Sequence, residues 1–157
     1  MRSCRMRCLG RLVLAAALAS AAERAEAQGV GFTGGIGLDP SQAYVGTHVE
    51  SPPLGGRIFF RPGIDGAFGG DESEAIIDVF FLYKLPLGTL SPWSIYQGTG
   101  PVVTIARAND QLHAHGGLAG VFGVGHKSGF FFEFKVSGGG GPSLRLGIGY
   151  TIRRQQP

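Results

Sequence analysis

From Phe130 to Val136, apolar side chains fall at every second position, with Phe130, Phe132, Phe134 and Val136 on one side and Glu133, Lys135 and Ser137 on the other. Phe131 is the exception. The next segment repeats the pattern, with Leu144, Leu146, Ile148, Tyr150 and Ile152 alternating with Ser143, Arg145, Gly147, Gly149, Thr151 and Arg153. Successive side chains of a strand point to opposite faces, so each segment is predicted to be a strand with one greasy and one polar side, a period no helix produces. Leu144 to Ile152, tilted by about 40° and rising about 3.3 Å per residue, would cover roughly 20 to 25 Å of barrel height.

The alternation recurs upstream. Val30, Phe32 and Ile36 oppose Gly31, Thr33, Gly35 and Gly37, and Val45, Thr47 and Val49 oppose His48 and Glu50. Ile58, Phe60, Ile64 and Phe68 oppose Arg57, Phe59, Arg61, Asp65 and Ala67, and Ile77, Val79, Phe81, Tyr83 and Leu85 oppose Asp78, Phe80, Leu82 and Lys84. Glycine, proline, serine, asparagine and aspartate between these runs supply turn chemistry. They cut the chain into Gly29–Gly37, Gln42–Ser51, Gly55–Gly69, Glu74–Leu87, Ser91–Arg107, His113–Gly125, Gly129–Gly138 and Pro142–Arg153. The fifth and sixth segments alternate too weakly to set a register. Pro62 and Pro101 lack a ladder donor, so a bulge or interrupted pairing is expected at each. Eight antiparallel strands with short links can close.

Alternation does not say which face is inside. A soluble barrel packs its apolar face inward, and a membrane barrel exchanges the two faces. Three features favour exchange. The polar face mixes glycine with Arg57, Arg61, Asp65, Asp78, Glu133, Lys135 and Arg145, as a narrow lumen holding long paired charges would require. Tyr83, Trp93 and Tyr150 lie near strand ends on the apolar face, where an interfacial belt sits. Closure also removes the edges that so apolar a chain would otherwise expose. The expected fold is an all-β, eight-stranded antiparallel up-and-down transmembrane barrel. Its lipid-facing side chains would include Phe60, Phe81, Phe130, Phe132, Phe134, Leu144, Leu146 and Ile148.

Residues 1–27 read as a cleavable signal peptide, with a basic head (Arg2, Arg5, Arg7, Arg11), an apolar run from Leu12 to Ala22, and small residues around Ala25-Glu26-Ala27. Residues 28–157 form the barrel domain. Taking the signal away leaves nine basic and nine acidic residues, so the basicity of the whole chain belongs to the signal. No basic face remains to favour nucleic acid as a partner. Both cysteines, Cys4 and Cys8, leave with it, and no disulfide is expected. Of the 28 glycines only Gly10 is in the signal, and the rest have no three-residue period, which excludes collagen.

The chain resembles the small outer-membrane β-barrel proteins of Gram-negative bacteria, the eight-stranded class that includes the OmpA- and OmpX-like domains. The resemblance is carried by the signal ending at Ala25-Glu26-Ala27, the glycine-spaced stretch Gly116–Gly125, Gly129-Phe130-Phe131-Phe132-Glu133-Phe134-Lys135 and the closing Leu144–Ile152. The last looks like the strand signal such proteins present to the barrel-assembly machinery. Family members commonly end on an aromatic residue, whereas this chain continues through Arg153-Arg154-Gln155-Gln156-Pro157. The resemblance implies export across the inner membrane, residence in the outer membrane with lipid as the main partner, and a monomer.

Candidate chemistry is sparse. His126-Lys127-Ser128 with Glu133 resembles the His-x-Ser and later glutamate of lipid A deacylases, but the family's asparagine is missing and the glutamate arrives too soon, so a hairpin turn ending at Gly129 is expected. His113 and His115 could share a strand face, yet two ligands do not complete a metal site. Gly138–Gly141 lacks the helix and lysine of a phosphate cradle. No cofactor, metal or catalytic residue is expected. The leading expectation is a structural or surface-interacting barrel. The alternatives are a secreted soluble barrel with an apolar ligand inside, which would bury Phe132 and Leu146, and a lipid A deacylase-like enzyme using His126 and Ser128.

Overall fold

The computed structural model describes residues 29–69, 72–108, 111–138 and 142–153. The expected signal peptide and the tail beyond Arg153 lie outside these residues. Eight strands follow one another: β1 (Gly29–Leu38), β2 (Gln42–Glu50), β3 (Ile58–Gly69), β4 (Glu72–Pro86), β5 (Trp93–Ala108), β6 (Gln111–His126), β7 (Phe130–Gly138) and β8 (Leu144–Arg153). Each pairs antiparallel with the next, and β8 pairs with β1, closing an up-and-down barrel. All eight segments expected from the alternation are strands, displaced by at most three residues at their ends.

Register fixes the shape. Crossing the ladder pairs from Phe122 through Phe134, Leu146, Ile36, Ala43, Phe68, Ser73 and Arg107 returns to β6 at Leu112, ten residues from the start. For eight strands with about 3.3 Å per residue and about 4.8 Å between neighbours, that offset sets a tilt of about 40°.

Both prolines interrupt pairing without shifting it. The β2–β3 ladder stops at His48–Gly63, just before Pro62. The β4–β5 ladder runs to Asp78–Val102 and resumes at Phe81–Thr99 in the same register, skipping Pro101 and its neighbour. An inserted bulge residue would have shifted the register, so these are gaps left by a missing donor.

The barrel is not level. Pairing of β6 with β7 ends at Leu118–Gly138, while β6 continues to Gln111 paired with β5 alone. Strands β4 to β6 therefore rise above the rest of the rim, so the end opposite the termini is built as much by tall strands as by the short loops expected there.

Polarity is inverted relative to a soluble protein. Arg145 is 0% exposed, whereas Phe132 is 47% exposed and Phe81, Phe130, Phe134 and Ile148 also face outward. Phe60, Leu144 and Leu146 are half-buried on the same outer wall. Phe131, which broke the alternation, lies inside, its ring edge against His48 at 5.4 Å between centroids.

Candidate functional site

The interior is divided. On the side of β4 to β6, Ile76, Phe80, Leu82, Val102, Ala119 and Val121 pack into an apolar cluster. Strands β3, β4, β7 and β8 contribute a cluster of buried charges, Arg61, Asp65, Asp78, Glu133, Lys135 and Arg145, and Glu50 and Glu74 are buried apart from it. The lumen is thus only half polar. That half-apolar content explains why β5 and β6 carry no clean alternation.

The six charges form one chain of contacts, three cations against three anions. Arg61 donates from Nη2 to Glu133 Oε2 at 2.8 Å, and the Tyr96 hydroxyl donates to the same oxygen at 2.8 Å. Lys135 Nζ donates to Asp65 Oδ2 at 2.9 Å and Asp78 Oδ2 at 3.0 Å, with Glu133 Oε1 at 3.7 Å. Arg145 Nη1 donates to Asp65, and its Nη2 lies 3.6 Å from Asp78. The Arg61 guanidinium also stands over the Tyr96 and Phe80 rings, at 5.4 and 5.8 Å from their centroids, and Lys135 Nζ is 5.6 Å from the Phe80 ring. Desolvating one such ion costs several kcal/mol, so the mutual neutrality of the set is what makes it tolerable inside.

Arg57, expected in this network, stands outside it. The residue precedes β3 in the link from β2, where its side chain is exposed, and its carbonyl accepts the backbone N–H of Lys84 at 3.0 Å. Alternation placed it correctly by parity but one residue short of the strand. The structure adds an ion pair that the expectation did not name: Lys84 Nζ lies 2.6 Å from Glu50 Oε2 at the end nearest the termini, with the Phe59 ring 4.5 Å from the ammonium. Both residues fell on polar faces of their segments, so parity was the signal that could have found them.

Interior glycines seat the large side chains. A methyl added at Gly147 would fall on the Tyr44 hydroxyl, one at Gly123 on the Tyr96 ring, one at Gly31 on His48, and one at Gly46 on the Asp65 carboxylate. Glycine spacing on the polar face is therefore a record of which interior side chains need room. At the lower mouth, between Glu50, Lys84, Tyr96 and Thr151, a cavity of about 10 Å³ remains, space for about one water molecule.

Tyr83, Trp93 and Tyr150 all face outward and are exposed, and all lie toward the end that carries the termini. The other two tyrosines, Tyr44 and Tyr96, are inside. The outward-facing tyrosine and tryptophan side chains among the described residues are therefore all on one half of the outer wall. Toward the opposite end the outer wall carries Leu38, Phe68, Leu118 and Val136, with Leu112 above them on β6.

His126 and Ser128 form a turn and not a charge relay. The Ser128 backbone N–H donates to His126 Nδ1 at 3.1 Å, and the hydroxyl lies 2.8 Å from the same nitrogen. Gly129 closes the turn by donating to the His126 carbonyl at 3.0 Å, with φ of 107°, a conformation that favours glycine. Glu133, the carboxylate a triad would need, is inside the barrel holding Arg61 and Tyr96. His113 and His115 share the inward-facing parity of β6 above the rim, both exposed, and no group of three potential metal ligands occurs among the described residues.

These observations define the class: a closed, eight-stranded antiparallel barrel with an apolar outer wall and a neutral, buried charge network. No family profile matches the chain, and no curated protein matches it in sequence.

Proposed function

We propose that this chain is an exported, integral outer-membrane β-barrel whose role is structural or interactive at the cell surface rather than catalytic. The observation that carries the reading is the inversion of polarity. Lipid is the medium that accepts Phe132 and Ile148 on the outside while Arg145 and Glu133 are dry within. Along β5 the outward residues from Trp93 to Val103, below Ile105 and Arg107, cover about 25 Å of height at the barrel's tilt, which suits the apolar band of such a membrane. The three residues Tyr83, Trp93 and Tyr150 would mark the periplasmic interface, on the side of both termini. The buried network would cement the barrel, since a lumen of eight strands is filled by its own side chains.

A barrel that binds an apolar ligand inside fits poorly, because its interior would have to hold Phe132 and Leu146 in place of six charges. The test is fractionation of cells together with electrophoresis of unheated and boiled samples. Recovery in the outer membrane with a heat-dependent change in migration supports the reading. Recovery in the soluble fraction overturns it.

A further inference from the structure

The charges outside the buried network are sorted by end. At the end that carries the termini, Arg57, Lys84, Lys127 and Arg153 stand against Glu50, which is buried in its pair with Lys84. Arg57, Lys127 and Arg153 are exposed, and none of the three has an ion-pair partner among the described residues. Toward the opposite end the sequence holds Asp39, Asp71, Glu72, Glu74 and Asp110 against Arg107. The mature chain is neutral in sum, yet basic at one end and acidic at the other. Two of the exposed cations lie beside outward aromatics. Ile58 is the ladder partner of Tyr83, and Arg57 is the next residue toward the barrel end, its carbonyl accepting the Lys84 N–H at 3.0 Å. His126 is the ladder partner of Trp93, its ring 4.7 Å from the indole, and Lys127 follows it, its backbone N–H donating to the Pro92 carbonyl at 2.8 Å. Strands β3 and β6 flank β4 and β5, so Arg57 and Lys127 stand on either side of Trp93.

We infer that this end of the barrel binds the headgroups of anionic phospholipids, with Arg57 and Lys127 taking up the phosphate beside Trp93. The inference rests on the membrane reading and adds to it a choice among lipids. Level selects the partner. Tyrosine and tryptophan of a membrane protein seat at the headgroup region, so cations one residue further out meet the phosphates. A guanidinium and an ammonium both donate to phosphate oxygens, and the bond is strong because both partners are charged. Glu50 does not compete, because Lys84 holds it inside. A zwitterionic headgroup cancels its phosphate with its own cation, whereas an anionic one leaves the charge for the protein to meet. Each cation near such a surface favours association about fivefold. The acids at the other end turn the same lipid away, so the preference is confined to the leaflet on the side of the termini.

Trp93 is the chain's single tryptophan, so its emission reports from this end alone. The mature chain is inserted into phosphatidylcholine vesicles in which a minor fraction of the lipid, brominated in the upper part of its acyl chains, is either phosphatidylglycerol or phosphatidylcholine. Brominated phosphatidylglycerol should quench Trp93 more than brominated phosphatidylcholine at the same fraction. The excess should vanish in the double variant Arg57→Gln with Lys127→Gln, shrink at high salt, and survive Asp39→Asn at the opposite end. Equal quenching by the two lipids in the parent chain, or an excess that the double variant keeps, overturns the inference and leaves the membrane reading standing. Binding of isolated peptidoglycan through Arg57 and Lys127 with no preference between the lipids overturns it as well. A chain that neither lipid quenches and that is recovered in the aqueous fraction defeats both.

Discussion

Lys135→Met is the perturbation that most directly probes the interior. Lys135 touches two carboxylates, Asp65 at 2.9 Å and Asp78 at 3.0 Å, and is buried with them. At an effective dielectric of about 20, each contact is worth about 5 to 6 kcal/mol of attraction. That attraction is offset by several kcal/mol of desolvation for each ion. Methionine fills similar space, so the variant leaves the cavity closed and removes only the charge. Three anions then face two cations in a dry lumen. The expected cost is about 3 to 5 kcal/mol, dominated by the stranded carboxylates. Restoring neutrality with Lys135→Met plus Asp78→Asn should recover at least about 1 kcal/mol relative to the sum of the single changes. Urea unfolding in lipid vesicles, followed by emission of the single tryptophan Trp93, measures all three variants. A cost below about 1 kcal/mol for Lys135→Met, or strict additivity in the double variant, would refute the neutral-network argument.

Gly147→Ala should cost about 1 to 3 kcal/mol in the same unfolding assay, because the added methyl meets the Tyr44 hydroxyl and Thr33 Oγ1, whereas Gly116→Ala, with nothing within 4 Å, should stay within about 0.5 kcal/mol of the parent. Phe132→Arg on the outer wall should cost about 2 to 4 kcal/mol in vesicles and Ile152→Arg, near the end of β8, about 1 or less; equal costs would mean that depth in the bilayer is not what those positions feel. Ser128→Ala should leave lipid A acylation in the host outer membrane unchanged by mass spectrometry, since Glu133 is not placed to orient His126.

The strands most legible in the sequence are those whose two faces meet unlike surroundings. In β7 and β8 the interior partners of Phe132 and Leu146 are Glu133, Lys135 and Arg145, and the contrast is complete. In β5 and β6 the interior is lined by Val102, Ala119 and Val121 while the outer wall carries Gln97, Thr99 and Gly120, so both faces read alike and only pairing with neighbours sets the register. Phe131 was illegible for the converse reason: an aromatic inside a charged layer, seated against His48 where Gly149 leaves room, looks from the sequence like a break in the pattern. Of the seven charges placed in the lumen by parity, six meet in one network. Arg57 does not, because a strand's first residue is set by where pairing begins, and parity carries no information about that. Tyr96, whose hydroxyl donates to Glu133 Oε2, lay in the segment without a readable register.

That lipid wets the outer wall is tested most directly by moving the chain's one tryptophan. With Trp93→Phe and Phe132→Trp, the probe sits on the outer face of β7. In vesicles of lipids brominated deep in their acyl chains, emission from this variant should be strongly quenched, while aqueous iodide leaves it untouched. Quenching by iodide with no response to the brominated lipids would contradict the account.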